Sequence, residues 1–459
     1  MGTKIHQRSF GGGEIAPEIL GRVDLNHYQT GLAKCFNFYP LPSGPAVNRP
    51  GFQFIKECKD GGTSAVRVIP FIFNTAQAYS LEFGDDYLRI HTEGGTVLEA
   101  NKTISGATQA NPCVITATAH GFLDGEECYI SSIVGMTELN ARYFKIANKT
   151  TNTFEITDLQ GNNINSSAYT AYGSAGTAAR VYTVVSPFAA EDLFDISYEQ
   201  SADVLTLVHP SYAPRELRRS GATSWAFTTI TFEPSIAAPG SVSVAASPAS
   251  GTDVSKYVVT SIEETILEES EASAEVSATN DLSVGSNTNT VSWAAVTGAT
   301  RYNVYKDKNG VHGYIGQTPD TSFEDNNITP DLLTSPPENQ TPFTGSDNYP
   351  ATVSYHDQRR VFAATNNYPQ TTWMSRGGTE SNLSKSIPSQ DDDSIQFSLA
   401  SRQFNRIRNL VALDDLIVFT AATEWKLYTQ NSDALTPGTI GLRPQSYVGS
   451  SAIRPIVSG

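Results

Sequence analysis

The stretch Asp203-Val-Leu-Thr-Leu-Val-His-Pro210 decides the fold, because it is an apolar strand that ends at a proline and is followed by Trp225. Two later runs have the same plan, an apolar strand with a tryptophan further along the chain: Arg360–Ala364 with Trp373, and Asp414–Thr420 with Trp425. Weak self-similarity of this kind is typical of β-propeller blades. The repeat therefore predicts an irregular, β-propeller-like platform.

The composition supports a mainly β protein. Of the 459 residues, 17% are charged, below the roughly 25% usual in soluble domains, and small polar residues make up the difference. The chain also has 20 tyrosines and 21 phenylalanines, and aromatic residues favour strands over helices. We predict a mainly β fold in which two small inserted β domains, of the sandwich or barrel type, interrupt the platform.

The chain is acidic. It has 31 basic and 47 acidic side chains, so its formal net charge is 31 − 47 = −16. Tight binding to phosphate needs Lys and Arg to displace counterions, so this balance disfavours tight nucleic-acid binding. A wall that repels phosphate would still let a duplex slide past. The alternative is that acidity simply keeps a β-rich protein soluble.

The cysteines and the apolar runs limit where the protein works. Cys35, Cys58, Cys113 and Cys128 have no CxxC spacing, and four cysteines in a chain of this length do not indicate a disulfide framework. We expect no signal peptide and no membrane span. The simplest expectation is a protein made in a cytoplasm and used in an assembly.

The N-terminal stretch predicts an anchoring device. Glycines at Gly11–Gly13 allow unusual dihedrals, and Asp24 could cap a helix start. Apolar side chains at Leu25, Tyr28, Leu32, Cys35 and Phe36 recur at helical spacing, before prolines that exclude helix. We therefore predict a strap, a short helix, a rigid turn and then a first strand, which includes Phe52–Ile55.

The same ordered residues resemble the tail tubular protein B, or nozzle, family of short-tailed bacteriophages. The matching positions are Phe10-Gly-Gly-Gly-Glu-Ile-Ala-Pro17, Arg22, Asp24, Tyr28, Asn37, Pro42, Gly44, Arg49, Pro50 and Gly51. The resemblance implies a ring, expected to be hexameric, at the distal end of a virion tail that is assembled in the host cytoplasm. It also implies an adaptor ring, tail fibres or a spike or plug as partners, and genomic double-stranded DNA passing through. The implied assembly residues are Phe10, Glu14, Pro17, Arg22, Asp24, Arg49 and Pro50.

Shifts in composition divide the chain. We predict platform segments at 1–102, 183–238 and 338–459, with inserts at 103–182 and 239–337. The first insert contains Val114–Phe122 and resembles the first catalytic-cysteine half-domain (FCCH) of ubiquitin-activating enzymes. Two acidic neighbours would raise the pKa of the Cys128 thiol, the opposite of activation, and His120 fits a turn better than a metal site.

The second insert resembles the B and C strands of a fibronectin type III sandwich. Trp293 would fill its core, Tyr302 and Val304 would alternate with Asn303, and Asn309-Gly310 predicts a hairpin. Residues 253–281 hold eight acids against one lysine. A helix or a metal-binding patch is one interpretation of these acids, and a solvated edge strand or loop is the one we favour.

We expect no enzymatic activity, no cofactor and no metal site. Asp391-Asp392-Asp393 could bind a cation or supply a glycosidase carboxylate, but three successive strand residues do not converge, which favours a turn cap. Arg218, Arg219, Arg406 and Arg408 could contact DNA in a channel or form ion pairs at a seam between subunits. We favour the seam.

A second function class stays open at this stage. The same strands could form a carbohydrate-binding or glycoside-cleaving β-propeller surface protein. Rings with a central hole would favour the structural interpretation, and monomers that release reducing sugar would favour the second. Relatives implied by the resemblance continue past the blade near Trp425, so we expect the C-terminal blade to be incomplete.

Overall fold

The computed structural model describes residues 6–74, 77–266, 268–400, 404–430 and 434–457. Its contacts divide the chain into two units, Met1–Lys56 and Glu57–Gly459. Each unit is described by itself. The five predicted segments stay predictions.

The N-terminal unit has little regular structure. Its elements are two short 3-10 helices and one two-stranded antiparallel sheet: Pro17–Ile19, Asn26–Thr30, and Phe38–Pro40 paired with Ala46–Asn48. The predicted helix over residues 25–36 is wrong, because Gly31 is extended and the next residue pairs with the glycine strap, where the Leu32 amide donates to the Gly13 carbonyl at 2.7 Å. This pairing overrides the helical spacing of the apolar residues.

The second unit begins with an antiparallel meander, here called sheet A. Its strands are Arg67–Ile72, Ala78–Gly84, Tyr87–Thr92, Gly95–Thr96 and Thr183–Val185. Turns between the strands hold Asp86 and Glu93 at positive φ. The predicted strand at Phe52–Ile55 is wrong, because that segment makes no strand pairing.

Sheet A is interrupted by the first insert, residues 102–180. The strands of the insert form one seven-stranded antiparallel sheet: Lys102–Thr103, Gly106–Ala107, Val114–Thr116, Glu127–Val134, Arg142–Ala147, Thr153–Thr157 and Ser174–Arg180. This sheet encloses its own core, which includes Ile130, Phe144 and Phe154.

The first insert leaves and rejoins sheet A at neighbouring points. The Tyr182 amide donates to the Val97 carbonyl at 3.0 Å, and the Glu99 amide donates to the Arg180 carbonyl at 2.8 Å. Immediately afterwards Thr183–Val185 pairs with Tyr87–Thr92. The two ends of the insert therefore run side by side and antiparallel.

Three further four-stranded antiparallel sheets follow along the chain. Sheet B consists of Ser197–Ser201, Val204–His209, Tyr212–Gly221 and Ser224–Thr229. Sheet C consists of Thr352–His356, Arg359–Ala363, Thr371–Met374 and Ile395–Ser398. Sheet D consists of Ile407–Ala412, Leu416–Thr420, Glu424–Thr429 and Ile440–Ser446. Ser335–Asn339, which precedes sheet C in the chain, pairs with Ser384–Ile387 in a small two-stranded sheet.

Each sheet packs on the next through a shared apolar core. One core joins sheets A and B and includes Phe71, Leu81, Leu207 and Trp225. A second core joins sheet B to sheet C around Phe362 and Trp373, and a third joins sheets C and D. Successive four-stranded meanders packed in this way are blade-like. The prediction of a mainly β, irregular β-propeller-like platform with two inserted small β domains is confirmed.

The second insert, residues 243–325, is a two-sheet sandwich. One sheet consists of Ser243–Ser247, Thr288–Ser292 and Ser322–Asp325, and the other of Val254–Glu263, Glu268–Glu269, Val276–Thr279, Arg301–Lys308 and Val311–Thr318. Trp293 and Tyr302 pack in the core, with ring centroids 5.3 Å apart. Asn309 and Gly310 both have positive φ, as a type I′ hairpin turn requires.

Helical structure is confined to short 3-10 helices in the part of the chain that the structure describes. In the second unit they are Lys59–Gly62, Thr137–Leu139, Ala190–Asp195 and Ser346–Asn348. Within the same described residues, no helix has the length and apolar character needed to cross a membrane.

Candidate functional site

The predicted assembly residues lie in a unit held together by its backbone. The Phe10 amide donates to the Gly44 carbonyl at 2.6 Å, and the Gly12 amide donates to the Thr30 carbonyl at 3.1 Å. The Glu14 carboxylate accepts the Cys35 amide at 2.8 Å. These bonds bring the strap back against its own downstream segments, so Phe10 and Glu14 hold the local fold.

The remaining assembly candidates are on the surface. Arg22 and Asp24 form a two-bond ion pair at 2.8 and 2.7 Å, with both side chains more than half exposed. Asp24 does not cap the helix as predicted, because its carboxylate is occupied by Arg22. The Arg22 guanidinium lowers the pKa of the Asp24 carboxyl. Pro17 begins a 3-10 helix, where its missing N–H costs nothing.

Arg49 and Pro50 lie at the end of the unit. The guanidinium carbon of Arg49 stands 4.2 Å from the ring centroid of Phe52, a cation–π contact, while Pro50 is exposed. The ring of Phe52 is 88% exposed even so. This contact therefore orders an aromatic side chain on the surface without covering it.

The N-terminal unit exposes most of its large apolar side chains. Among its described residues Ile15 is the one buried hydrophobic side chain. Nine large hydrophobic side chains are exposed: Leu20, Val23, Phe36, Phe38, Tyr39, Leu41, Val47, Phe52 and Phe54. A segment of this size with a single buried apolar residue lacks a core, and a two-stranded sheet alone is marginal in water. The exposed apolar side chains form a candidate docking surface.

Three of the four predicted channel or seam arginines have partners within the chain. Arg218 pairs with Glu216 at 2.6 Å, and the Arg219 guanidinium lies 4.3 Å from the ring centroid of Phe73. Arg406 contacts the Asn366 side chain at 3.3 Å, and Arg408 is an exposed residue of sheet D. Burial lowers the pKa of Arg406, and Arg408 adds to this. Whether these side chains face DNA or a neighbouring subunit stays a prediction.

Two buried arginines, Arg359 and Arg360, connect the blades. Arg360 is fully buried and donates to Glu216 of sheet B at 2.8 Å, to Glu380, and to the Tyr355 hydroxyl at 3.0 Å. Arg359 donates instead to four backbone carbonyls, among them Asp393 at 2.6 Å. A buried guanidinium needs such partners because an uncompensated charge in the interior is costly. No local pattern indicates these contacts, because the partners are distant in sequence: Arg360 and Glu216 are 144 residues apart.

The Asp391–Asp393 cluster is occupied by structural bonds. Asp393 is 1% exposed, and its carboxylate accepts the amides of Ser386 and Gln390 at 2.9 and 2.8 Å. Asp392 pairs with Arg376 at 2.6 Å. Within the described ranges no group of three or more His, Cys, Asp or Glu side chains could hold a metal ion. The cluster closes a turn in this structure.

The first insert carries no activated thiol. Cys128 is fully buried, and burial raises the pKa of its thiol, with the Glu127 and Glu126 carboxylates adding to the shift. A protonated, inaccessible thiol is a poor nucleophile. His120 is also buried, and its Nδ1 accepts the Phe122 amide at 3.0 Å. Both residues are part of the fold of the insert.

A buried ion pair joins the first insert to sheet A. Arg89 donates to Glu127 at 3.0 Å, and both side chains are almost completely buried. The Arg180 guanidinium binds Glu99 and Glu126 nearby at 2.6 and 2.8 Å. These contacts fix the insert relative to the strand from which it leaves.

Two carboxylates in the acidic segment of the second insert are held by partners elsewhere in the chain. Val254–Glu263 is an interior strand, so the predicted edge strand or loop is wrong for it. Glu268–Glu269 and Val276–Thr279 pair with it at the edge of the sheet, as predicted. Glu268 is 2% exposed and binds Ser235 and the Asn382 amide, the latter at 2.5 Å. Glu269 accepts the Tyr305 hydroxyl at 2.7 Å. Distant polar residues pair with these acids, which local charge counts do not reveal.

Comparison with known proteins gives one family match. The model of the FCCH domain of ubiquitin-activating enzyme E1 matches residues 110–181, within the region where the sequence resembled that domain. No curated protein matches the chain. A solved structure, the Cps50 (Swd1) β-propeller domain of Myceliophteria thermophila, is 7% identical and covers 87% of this chain and 90% of its own, with a TM-score of 0.19. A TM-score of this size carries no argument.

The assignment to the tail tubular protein B family is wrong. The family model that matches is that of the E1 FCCH domain, at residues 110–181, and it does not point to a phage tail tubular protein. Glycine- and proline-rich straps with scattered fixed positions recur wherever tight turns are needed, so this order of residues was a weak basis for a family.

Proposed function

We propose that this chain is a structural subunit of a larger assembly, in which the N-terminal unit docks on another protein surface. The observation that carries the proposal is the contrast within that unit between one buried apolar side chain and nine exposed ones. Covering a Phe or Leu side chain contributes about 1.5–3 kcal/mol, so a partner that buried several of them would bind firmly.

The charged groups support a mechanical function. Arg360, Arg359 and Asp393 are bound within the platform, and the thiol of Cys128 is buried and protonated. A catalytic site needs convergent groups that are free to react with a substrate. Side chains that are already held by internal bonds stabilise a rigid body instead.

The narrower proposal is a ring of identical subunits, expected to be hexameric, in a bacteriophage tail. Its partners would be an adaptor ring, fibres or a plug, and genomic DNA passing without sequence specificity. The net charge of −16 is compatible with a wall that repels phosphate. The chain's own support for it is the acidic net charge and the exposed N-terminal side chains, whereas the hexameric ring and the phage partners are implied by the family resemblance alone.

Mass photometry and negative-stain microscopy of the purified full chain test the proposal. We expect oligomers, and rings with a central hole for the narrower form. The variant Phe36→Ser/Phe52→Ser/Phe54→Ser should shift the population to monomers by removing three exposed rings. A control, Leu123→Ser/Val134→Ser/Val254→Ser, removes exposed apolar side chains of the inserts and should assemble like the parent.

The result that would end the proposal is a monomer that binds no partner and cleaves a polysaccharide. That outcome would favour the alternative function, a glycoside-cleaving β-propeller surface protein. Equal assembly by both triple variants would show that the N-terminal rings are not the docking surface.

A further inference from the structure

One cavity in the second unit differs from the others in its chemistry. It has a volume of about 440 Å³ and lies between sheet C and the segment that precedes it. We call it the amide cavity, because its polar lining is mostly side-chain amides beside two aromatic rings: Gln340, Asn348, Asn367, Gln396, Tyr368 and Trp373. None of the described residues that line it is charged.

Three other cavities are lined by ion pairs. The 560 Å³ cavity contains Arg89 with Glu127, the 430 Å³ cavity contains Glu199 with Arg454, and the 300 Å³ cavity contains Arg301 with Glu264. The amide cavity offers no charged side chain to pair with an ionic ligand, so its lining suits an uncharged one.

Tyr368 provides an exposed aromatic face at this cavity. Its side chain is 58% exposed, and its ring stands edge-on to the Trp373 ring at 6.3 Å between centroids. The Tyr368 amide donates to Thr365 Oγ1 at 2.9 Å, which fixes the loop that carries it. A held but exposed ring can stack against the C–H face of a sugar ring, since the aromatic π face is electron-rich.

The amides around the ring offer paired donors and acceptors. Asn367 donates to Asn348 at 2.9 Å, so these two amides hold each other in place. The side chains of Gln340 and Gln396 make no hydrogen bond to the described part of the chain. A primary amide donates and accepts at once, which matches two neighbouring hydroxyl groups of a sugar.

We propose that the amide cavity binds a neutral saccharide, with a pyranose ring stacked on Tyr368 and hydroxyls bonded to the amides. Phosphorylated or acidic ligands would find no cation there. The lining has no carboxylate, so a bound sugar would be held without cleavage at this place. The proposal does not depend on the assembly function, which concerns the N-terminal unit.

A glycan array of neutral and acidic oligosaccharides, probed with the purified full chain, tests the proposal. Calorimetric titration with the best neutral oligosaccharide then gives the affinity. We expect binding to a neutral group, a loss of about tenfold in Tyr368→Ala and a near-parental affinity in Tyr368→Phe. Gln396→Ala should weaken binding several-fold, because it removes a hydrogen-bonding amide.

Tyr447→Ala is the matched control, since Tyr447 is an exposed tyrosine that does not line the cavity. It should bind like the parent, and thermal melts should show that all variants are folded. The proposal is overturned if no neutral oligosaccharide binds at about 10 mM. It is also overturned if Tyr368→Ala binds like the parent, or if acidic glycans are preferred.

Discussion

Replacing Arg360 by methionine tests how the blades are held together. The fully buried guanidinium binds Glu216 at 2.8 Å, Glu380, and the Tyr355 hydroxyl. Removal of one partner of a buried ion pair costs about 3–5 kcal/mol, because the other charge is left uncompensated. In the variant, Glu216 would still be paired with Arg218, at 2.6 Å, so its charge would not be left entirely without a partner. We therefore expect a loss of unfolding free energy near the lower end, about 3 kcal/mol.

A double-mutant cycle separates the pair from its surroundings. Glu216→Leu combined with Arg360→Met replaces both charges by apolar side chains, and such replacement of a buried pair is often neutral. We expect the double variant to be more stable than Arg360→Met alone, with a coupling free energy of about 1.5 kcal/mol or more.

Urea unfolding followed by tryptophan fluorescence gives these free energies, because Trp225 and Trp373 lie in the cores next to the pair. Circular dichroism must give the same transition if the unfolding is two-state. Arg301→Met is the control, since the Arg301–Glu264 pair is nearly half exposed and should contribute less than about 1 kcal/mol. A loss below that for Arg360→Met, or a double variant no more stable than the single one, would refute the reasoning.

Three further predictions concern single residues. Burial lowers the pKa of His209 below its ordinary 6.5, so the unfolded chain binds a proton more readily than the folded chain. The free energy of unfolding should therefore fall as the pH drops below about 6.5. In a plot of the urea midpoint against pH, His209→Asn should flatten this part of the curve. Gly135→Ala should destabilise the first insert by about 1–2 kcal/mol or more. The reason is that φ of Gly135 is +99° and the new Cβ would lie 2.3 Å from the Ala171 carbonyl oxygen. Limited proteolysis should cleave the insert of the variant faster, and unchanged protease resistance would contradict this. Iodoacetamide should label the half-buried Cys35 well before the buried Cys128 in the native protein. Mass spectrometry would measure the two labelling rates. Equal rates would mean that the Cys128 thiol is accessible.

The strands of the platform could be predicted because their signals are local. Val204–His209 is an apolar run that ends at Pro210, and the strand forms where this run predicts it. Asn309 and Gly310 adopt the positive φ values that a two-residue hairpin needs. Where neighbouring residues decide the backbone, sequence reasoning succeeds.

The failures have long-range causes. The apolar residues after Asp24 have helical spacing, but Leu32 pairs with the glycine strap instead of continuing a helix. No local sequence pattern indicates this pairing. Arg360 and Glu216 are 144 residues apart, and Asn382 and Glu268 are 114 residues apart. Charge counts place such side chains on the surface, although the fold buries them against each other.

The neighbouring ends of the first insert make this part of the chain a natural cassette. Because Val97 and Tyr182 already lie side by side, a short turn could replace everything between them without moving the strands on either side. Such a site tolerates the exchange of one module for another over evolutionary time. It is also the place where a fluorescent or affinity domain could be grafted with the least disturbance to the blades.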